Sequence, residues 1–286
     1  MVEKPAQNTV ATVLANAARQ LAETSAPRLD AELLLAHLLQ KDRAWLAARP
    51  EHELPETVVQ EFLQLVDQRN SGIPLAYLTG VREFWSLQLE VNTHTLVPRP
   101  ETELLVEQAL ALAGLHDCII DAGTGSGAIA LALASELPAA KVIATDISAA
   151  ALQVARANAD RLNLNIHFVR ANWLTGLAGA DLIVSNPPYI AANDPHLQTD
   201  GVSAEPPLAL VAGDDGMEAF RQIVPQAMSC LQPAGWLLFE HGYDQAESVA
   251  QLMRDAGFTD ISTRRDLGDR ARLTMGRKPD ISPQRR

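Results

Sequence analysis

From Pro100 onward the chain alternates short β-type runs with helix-length segments, and this alternation restricts the possible folds more than any other feature. The runs are Cys118 to Asp121, Lys141 to Asp146, Ile166 to Arg170, Asp181 to Ser185 and Gly235 to Glu240. Strands joined through helices require right-handed crossovers, which predicts an α/β fold with a doubly wound, mostly parallel sheet. Ligands of such sheets bind beyond the carboxyl ends of the strands, so chemistry is sought there.

Upstream the periodicity is helical. Val10, Val13, Leu14, Ala17 and Leu21 recur at steps of three and four, Leu34, Leu35, Leu38 and Leu39 follow, and Val58, Val59, Phe62, Leu63 and Val66 come after Pro55. Such stripes are core and carry no chemistry. Ser71-Gly72-Ile73-Pro74 ends the pattern, and Phe84, Trp85, Leu87, Leu89 and Val91 then alternate with polar residues. The expected organisation is a helical domain over 1–72 serving substrate docking, a β-hairpin linker over 73–98, a catalytic domain over 99–278 and a disordered tail over 279–286.

The length of 286 residues is enough for about two domains. With 23 Lys plus Arg against 35 Asp plus Glu, the formal charge is −12, which disfavours a phosphate backbone as partner, so no direct nucleic-acid binding is expected. The basic residues Arg277, Lys278, Arg285 and Arg286 are the one local exception, read as a frayed terminus. No apolar run reaches the roughly 18 residues of a membrane span and the start lacks a signal core, which predicts a cytoplasmic protein with no membrane partner. Cys118 and Cys230 sit in apolar runs without ligand-spaced partners, which predicts reduced, buried thiols and no metal site.

Asp121-Ala122-Gly123-Thr124-Gly125-Ser126-Gly127-Ala128 joins a strand to an alanine-rich helix, the context of a nucleotide-binding turn. The loop suits either a nicotinamide dinucleotide or S-adenosylmethionine. Asp146, about 20 residues further on, has the position of a carboxylate that accepts from both ribose hydroxyls; the bland alternative is a helix cap before Ser148. Asn172-Trp173 follows the third strand, where the indole would lie against adenine or pack in the core.

Asn186-Pro187-Pro188-Tyr189 after the strand Asp181 to Ser185 decides between the cofactors. The prolines hold the backbone extended and remove its donors. An amide or ring NH2 has two coplanar donors and a delocalised lone pair, and two acceptors, the Asn186 side-chain oxygen and the Pro187 carbonyl, suffice to orient it toward a methyl donor. Tyr189 would stack on its plane. No dedicated general base is evident.

With the glycine turn, this motif resembles the amino-methyltransferases acting on adenine N6, cytosine N4, guanine N2 or glutamine N5, a class I, Rossmann-like fold. Pro74 to Gly80, Glu83 to Leu87, Pro98 to Glu103, Arg28 to His37, Glu205-Pro206, Asp215-Gly216 and Glu240-His241-Gly242 together resemble the protein-(glutamine-N5) methyltransferases of peptide-chain release factors (PrmC/HemK-like). The resemblance implies S-adenosylmethionine as cofactor, held by Gly123, Thr124, Gly125, Ser126, Gly127, Asp146, Trp173 and Asn186. It implies class-1 release factors as protein substrate, with the glutamine of their Gly-Gly-Gln motif held by Asn186, Pro187, Pro188 and Tyr189. Asn186, Pro187 and Tyr189 would be the catalytic residues. Ala204 stands where the family commonly has an aromatic. A nucleic-acid amino-methyltransferase, which would flip a base into the same pocket, is the alternative.

Overall fold

The computed structural model describes residues 8–115 and 117–280. The tail expected over 279–286, with Arg285 and Arg286, falls on 281–286, outside the described residues. The chain forms two compact units, one of residues 8–80 with Gln198–Ala204, the other of Val81–Leu197 with residues 205–280.

In the first unit the stripes become α1 (Val10–Gln20), α2 (Pro27–Leu39), α3 (Arg43–Ala47) and α4 (Glu56–Asn70). Thr9 caps α1 by accepting from the Thr12 N–H, and Asp42 caps α3 by accepting from the Trp45 N–H. Val13, Leu14, Leu34, Leu35, Phe62 and Val66 bury the apolar faces against one another. Residues 75–79, expected within the hairpin linker, form a further turn, α5 (Leu75–Thr79), closed by Gly80 at φ +74°. Pro74 suits the start of such a turn and a glycine in the left-handed region suits its end. Arg69, almost fully buried, donates to Asp30 at 2.9 Å and to both carboxylate oxygens of Asp200.

The second unit begins with a hairpin of β1 (Val81–Phe84) and β2 (Leu87–Glu90), shorter than the expected linker. Its turn residues Trp85 and Ser86 both have positive φ, and Glu103 accepts from the Trp85 N–H at 3.0 Å. After α6 (Glu103–Leu112) come β3 (Cys118–Ala122), α7 (Ala128–Glu136), β4 (Lys141–Asp146), α8 (Ala149–Leu162), β5 (Ile166–Arg170), β6 (Ala180–Ser185), α9 (Glu218–Cys230), β7 (Leu231–Glu240), α10 (Ala246–Asp255), β8 (Thr259–Arg265) and β9 (Ala271–Arg277).

Among the described residues these strands make a seven-stranded sheet in the order β5-β4-β3-β6-β7-β9-β8. The first five are parallel, as the alternation predicts. The antiparallel β8 and β9 at the edge are an addition to that prediction. Successive strands run outward from β3 to β5 and then return to β6 beside β3. The reversal of direction between β3 and β6 opens a crevice at their carboxyl ends. Ile119, Ile120, Leu182, Ile183, Leu237 and Leu238 fill the central strands on both faces without exposure, as a sheet covered by helices requires. Cys230 is buried, Cys118 half-buried, and both thiols are free.

Candidate active site

The crevice holds a cavity of about 500 Å³ lined by residues of the turn after β3, the end of β4, Asn172 and Trp173, the end of β6, and the segments 93–102 and 206–222. That volume is in the range of small-molecule and cofactor sites.

The turn after β3 is shaped by its glycines. Gly123 and Gly127 have φ of +81° and +88°, where side chains are strained, and a Cβ on Gly123 would lie 2.9 Å from the Trp173 ring. A Cβ on Gly125 would meet nothing within 4 Å, so a ligand can approach that backbone closely. The Gly123 and Thr124 N–H groups donate to the Thr145 carbonyl at 2.9 and 2.8 Å, tying the turn to β4. Below it Asp121, fully buried, accepts from the Thr124 hydroxyl at 2.6 Å and from the Ala130 N–H at 3.2 Å, while its second oxygen has no hydrogen-bond partner. Burial pushes the Asp121 carboxyl up to about 7, those two bonds offsetting part of the effect and the Asp146 charge adding to it.

Asp146 holds the other side. One of its oxygens accepts from the Gly125 N–H at 3.0 Å and the other from the Ser148 N–H at 2.8 Å. Burial raises its pKa, and these backbone donors counter the rise. The cap of α8 is Ser148, whose hydroxyl accepts from the Ala151 N–H. The carboxylate of Asp146 is therefore available to the cavity as well as to the loop. Trp173 sits at φ +55°, its carbonyl accepting from the Thr145 hydroxyl and its indole N–H donating to Gln222 at 3.1 Å. It packs on the core and also lines the cavity.

At the end of β6 the Ser185 hydroxyl donates to the Ala122 carbonyl at 2.6 Å, which locks the two strand ends together. Asn186 and Pro188 line the cavity; Pro187, which is buried, and Tyr189, which is half-buried, do not. The Asn186 Nδ2 donates to the Thr102 hydroxyl at 3.0 Å, so its Oδ1 is left as the acceptor. The Tyr189 hydroxyl donates to Glu240 at 3.4 Å, and burial pushes that phenol up, the nearby Glu240 carboxylate adding to the shift. The Tyr189 carbonyl accepts from Gln245 at 2.9 Å.

The remaining signature residues brace this frame. A Cβ on Gly216 would lie 2.3 Å from the Tyr189 carbonyl oxygen, so only glycine fits there. Glu205, buried, accepts from the Val97 N–H at 3.3 Å and from Arg99 at 2.5 Å, holding the segment that lines one wall. His241 donates through Nδ1 to the Gly242 carbonyl and accepts at Nε2 from Thr274; burial lowers its pKa. Thr102, Glu205 and Gln222 were not singled out from the sequence as site residues. For the first two the signal was their place in the signatures Pro98 to Glu103 and Glu205-Pro206; Gln222 had none.

Among the described residues no cluster of His, Cys, Asp or Glu could hold a metal ion, and no helix is long and apolar enough to cross a membrane. The glycine turn, the paired acceptors of Asp146 and the cavity volume fit a nucleoside cofactor, whose hydroxyls require acceptors and whose bulk requires close backbone approach.

Comparison with known proteins agrees. Residues 12–80 match the PrmC N-terminal domain and residues 100–200 the methyltransferase small domain. A methyltransferase from Pyrococcus furiosus superposes with a TM-score of 0.54 at 18% identity, covering 77% of this chain and 99% of that one. The catalytic domain of hMettl16, solved with the MAT2A 3′UTR hairpin 6, gives 0.56 at 18% identity over 77% of this chain and 83% of its own. At such identity they establish the fold alone, the doubly wound α/β fold of these two methyltransferases. A release factor glutamine methyltransferase of Xylella fastidiosa is 49% identical over 88% of this chain and 94% of its own. Those of Escherichia coli and Pseudomonas aeruginosa are each 48% identical, over 92% and 94% of this chain and 97% and 98% of theirs. Sharing nearly half its residues with such enzymes along almost their whole length, the chain belongs to the release factor glutamine methyltransferases.

Proposed function

We propose that the chain methylates the side-chain N5 of the glutamine in the Gly-Gly-Gln motif of class-1 release factors, with S-adenosylmethionine as the methyl donor, in the cytoplasm. The observation that carries this reading is the orientation of Asn186: its NH2 is committed to Thr102, so its Oδ1 offers the cavity an acceptor for an amide N–H. Asp146 and the turn from Gly123 to Gly127 would hold the nucleoside, with Trp173 at its base edge. When bound, S-adenosylmethionine would supply a sulfonium methyl group to the amide nitrogen, its carbon–sulfur bond breaking and the thioether leaving. Asn186 Oδ1 would take one N–H of the amide and favour the positive charge developing on nitrogen, and the surplus proton would leave to water. Pro188 would wall the amide group, and Tyr189 would support it from outside the cavity.

The helical unit is proposed as the docking surface for the folded factor, raising the effective concentration of its loop at the site. The reading is tested by incubating the protein with methyl-labelled cofactor and an intact release factor, the factor with that glutamine replaced, or DNA. Label should enter the intact factor alone. Label in DNA, or in the factor lacking the glutamine, would overturn it. An intact factor should also be methylated with a higher kcat/KM than a short Gly-Gly-Gln peptide; equal values would remove the docking role.

A further inference from the structure

Two signature segments, Pro98 to Glu103 and Glu240-His241-Gly242, offer no group to the substrate amide itself, yet each reaches the Asn186 to Tyr189 tetrapeptide, Thr102 at Asn186 and Glu240 at Tyr189. Thr102, 4% exposed, stands in the first and Glu240, 3% exposed, in the second. We propose that Thr102 and Glu240 form a positioning relay that fixes which way the Asn186 carboxamide faces, and so decides whether the site presents an acceptor or a donor to the substrate amide. The proposal rests on the assignment of Asn186 to the substrate amide.

A carboxamide turned by half a rotation exchanges its oxygen for its NH2 with almost no change of shape. Turned the wrong way, Asn186 would point two donors at the two donors of the incoming amide. Only its partner prevents this, and the partner is the Thr102 hydroxyl, 3.0 Å from Nδ2. A hydroxyl alone decides nothing, because it rotates to donate as readily as to accept. In the relay Glu240 removes that freedom: its carboxylate, which only accepts when ionised and whose raised pKa the neighbouring Thr102 hydroxyl holds down, would take the proton of that hydroxyl and leave the Thr102 lone pairs for the Asn186 N–H. Glu240 Oε1 accepts from the Tyr189 hydroxyl at 3.4 Å, so in the relay one carboxylate serves both ends of the tetrapeptide.

A buried carboxylate is an expensive way to end a strand. Oε2 of Glu240 has no hydrogen-bond partner, and burial pushes the group up to about 7. The groups that face it are Thr102 and Glu101 from the turn before α6, Tyr189 from the end of β6 and Arg272 from β9; Thr102, Arg272 and Tyr189 hold the shift down and Glu101 adds to it. Protonated, Glu240 becomes a donor on one oxygen and loses its hold on the Thr102 proton.

Three variants and two readouts test the relay. Thr102→Val and Glu240→Gln should each lower kcat by about 10- to 100-fold, the range for partners that orient a first contact residue, with KM for the cofactor unchanged. Thr102→Ser should restore kcat to within about threefold, and the double variant should be no slower than the worse single one, since both act through one residue. Wild-type kcat should rise with pH through about 7, and Glu240→Gln should abolish that limb. The second readout needs no substrate: in nitrogen-15 spectra the Asn186 NH2 signals should shift with pH through the same range, lose that shift in Glu240→Gln, and return to the wild-type position in Thr102→Ser but not Thr102→Val. Asn186 signals indifferent to both partners, or additive losses of kcat in the double variant, would overturn the relay. A wild-type protein that leaves the intact factor unlabelled would instead sink the assignment of function, with the spectra still judging the relay.

Discussion

Replacing Asp146 by Ala separates cofactor binding from folding better than any other change at this site. The carboxylate accepts from the N–H groups of Gly125 and Ser148 and faces the cavity. A hydrogen bond to a charged group contributes about 1.5–3 kcal/mol, so losing one bond to the ribose should raise the cofactor Kd by about 10- to 150-fold. The unliganded protein should lose far less. The donors released by the change border an open cavity and can bond to water, and burial already raises the Asp146 pKa, so the charge is no net asset to the fold. Titration calorimetry gives the Kd, and thermal melts give the linkage. At a cofactor concentration of about 100 times the wild-type Kd, binding stabilises the wild type by about 2.7 kcal/mol, and the variant should retain only about 0.3–1.3 kcal/mol of that. Asp146→Asn, which keeps one acceptor, should fall between the two. If the alanine variant kept its affinity within about threefold while its unliganded form melted lower, Asp146 would be a structural tie for the glycine turn and nothing more.

Gly127→Ala places a methyl at φ +88°, 3.0 Å from Leu131 and 3.2 Å from Ala155, and should destabilise the protein by about 2–4 kcal/mol in urea titrations, the sum of left-handed strain and overpacking. Tyr189→Phe loses only a 3.4 Å bond to Glu240 and should slow turnover by less than about tenfold, whereas Tyr189→Ala should slow it by about a hundredfold or more; a severe phenylalanine variant would shift the role to the hydroxyl. Asp121 and Glu240 both titrate near 7 in the folded chain against 3.8 and 4.5 unfolded, so each contributes stability that is present at acid pH and lost as pH rises through 7. The urea midpoint should therefore fall between pH 5 and pH 8, and Glu240→Gln, which removes a cost of about 3 kcal/mol at the upper end, should flatten the slope and outlast the wild type at pH 8.

The five parallel strands were legible because each apolar run ends on a polar or glycine signal, and the helical stripes because their period is unambiguous. The antiparallel edge was not: Thr259–Arg265 is polar and largely exposed, and a strand at the rim of a sheet needs no apolar face to declare itself. Residues 75–79 form too short a turn for periodicity to detect. Trp85 and Ser86 carry positive φ without glycine or asparagine because Glu103, 18 residues away, supplies the missing bond. The site divides in the same way. Asn186, Asp146 and the glycines announce themselves by local motif, but their partners lie far off in sequence: Thr102 is 84 residues from Asn186, and Glu240 is 51 from Tyr189. A motif names a residue and leaves its partners open: nothing near Tyr189 in sequence foretells the bond of its hydroxyl to the buried Glu240.

In the sheet β6 lies between β3 and β7, and the strand that carries Asn186 is thus flanked by two strands that each bear a buried carboxylate near the carboxyl end. Asp121 on β3 holds Thr124 in the glycine turn, and Glu240 on β7 accepts from Tyr189 and neighbours Thr102, the partner of Asn186. Each has an oxygen without a partner and each is pushed up to about 7 by burial. Apolar residues would stabilise both positions, since an incompletely satisfied buried carboxylate disfavours the fold. Their presence at the two strand ends that frame the crevice, away from any metal cluster among the described residues, marks them as sites where stability is given up for geometry. In the proposed reading the two separate by consequence: protonating Asp121 disturbs the loop assigned to the cofactor and should appear in cofactor affinity, while protonating Glu240 disturbs the acceptor assigned to the amide and should appear in turnover at saturation.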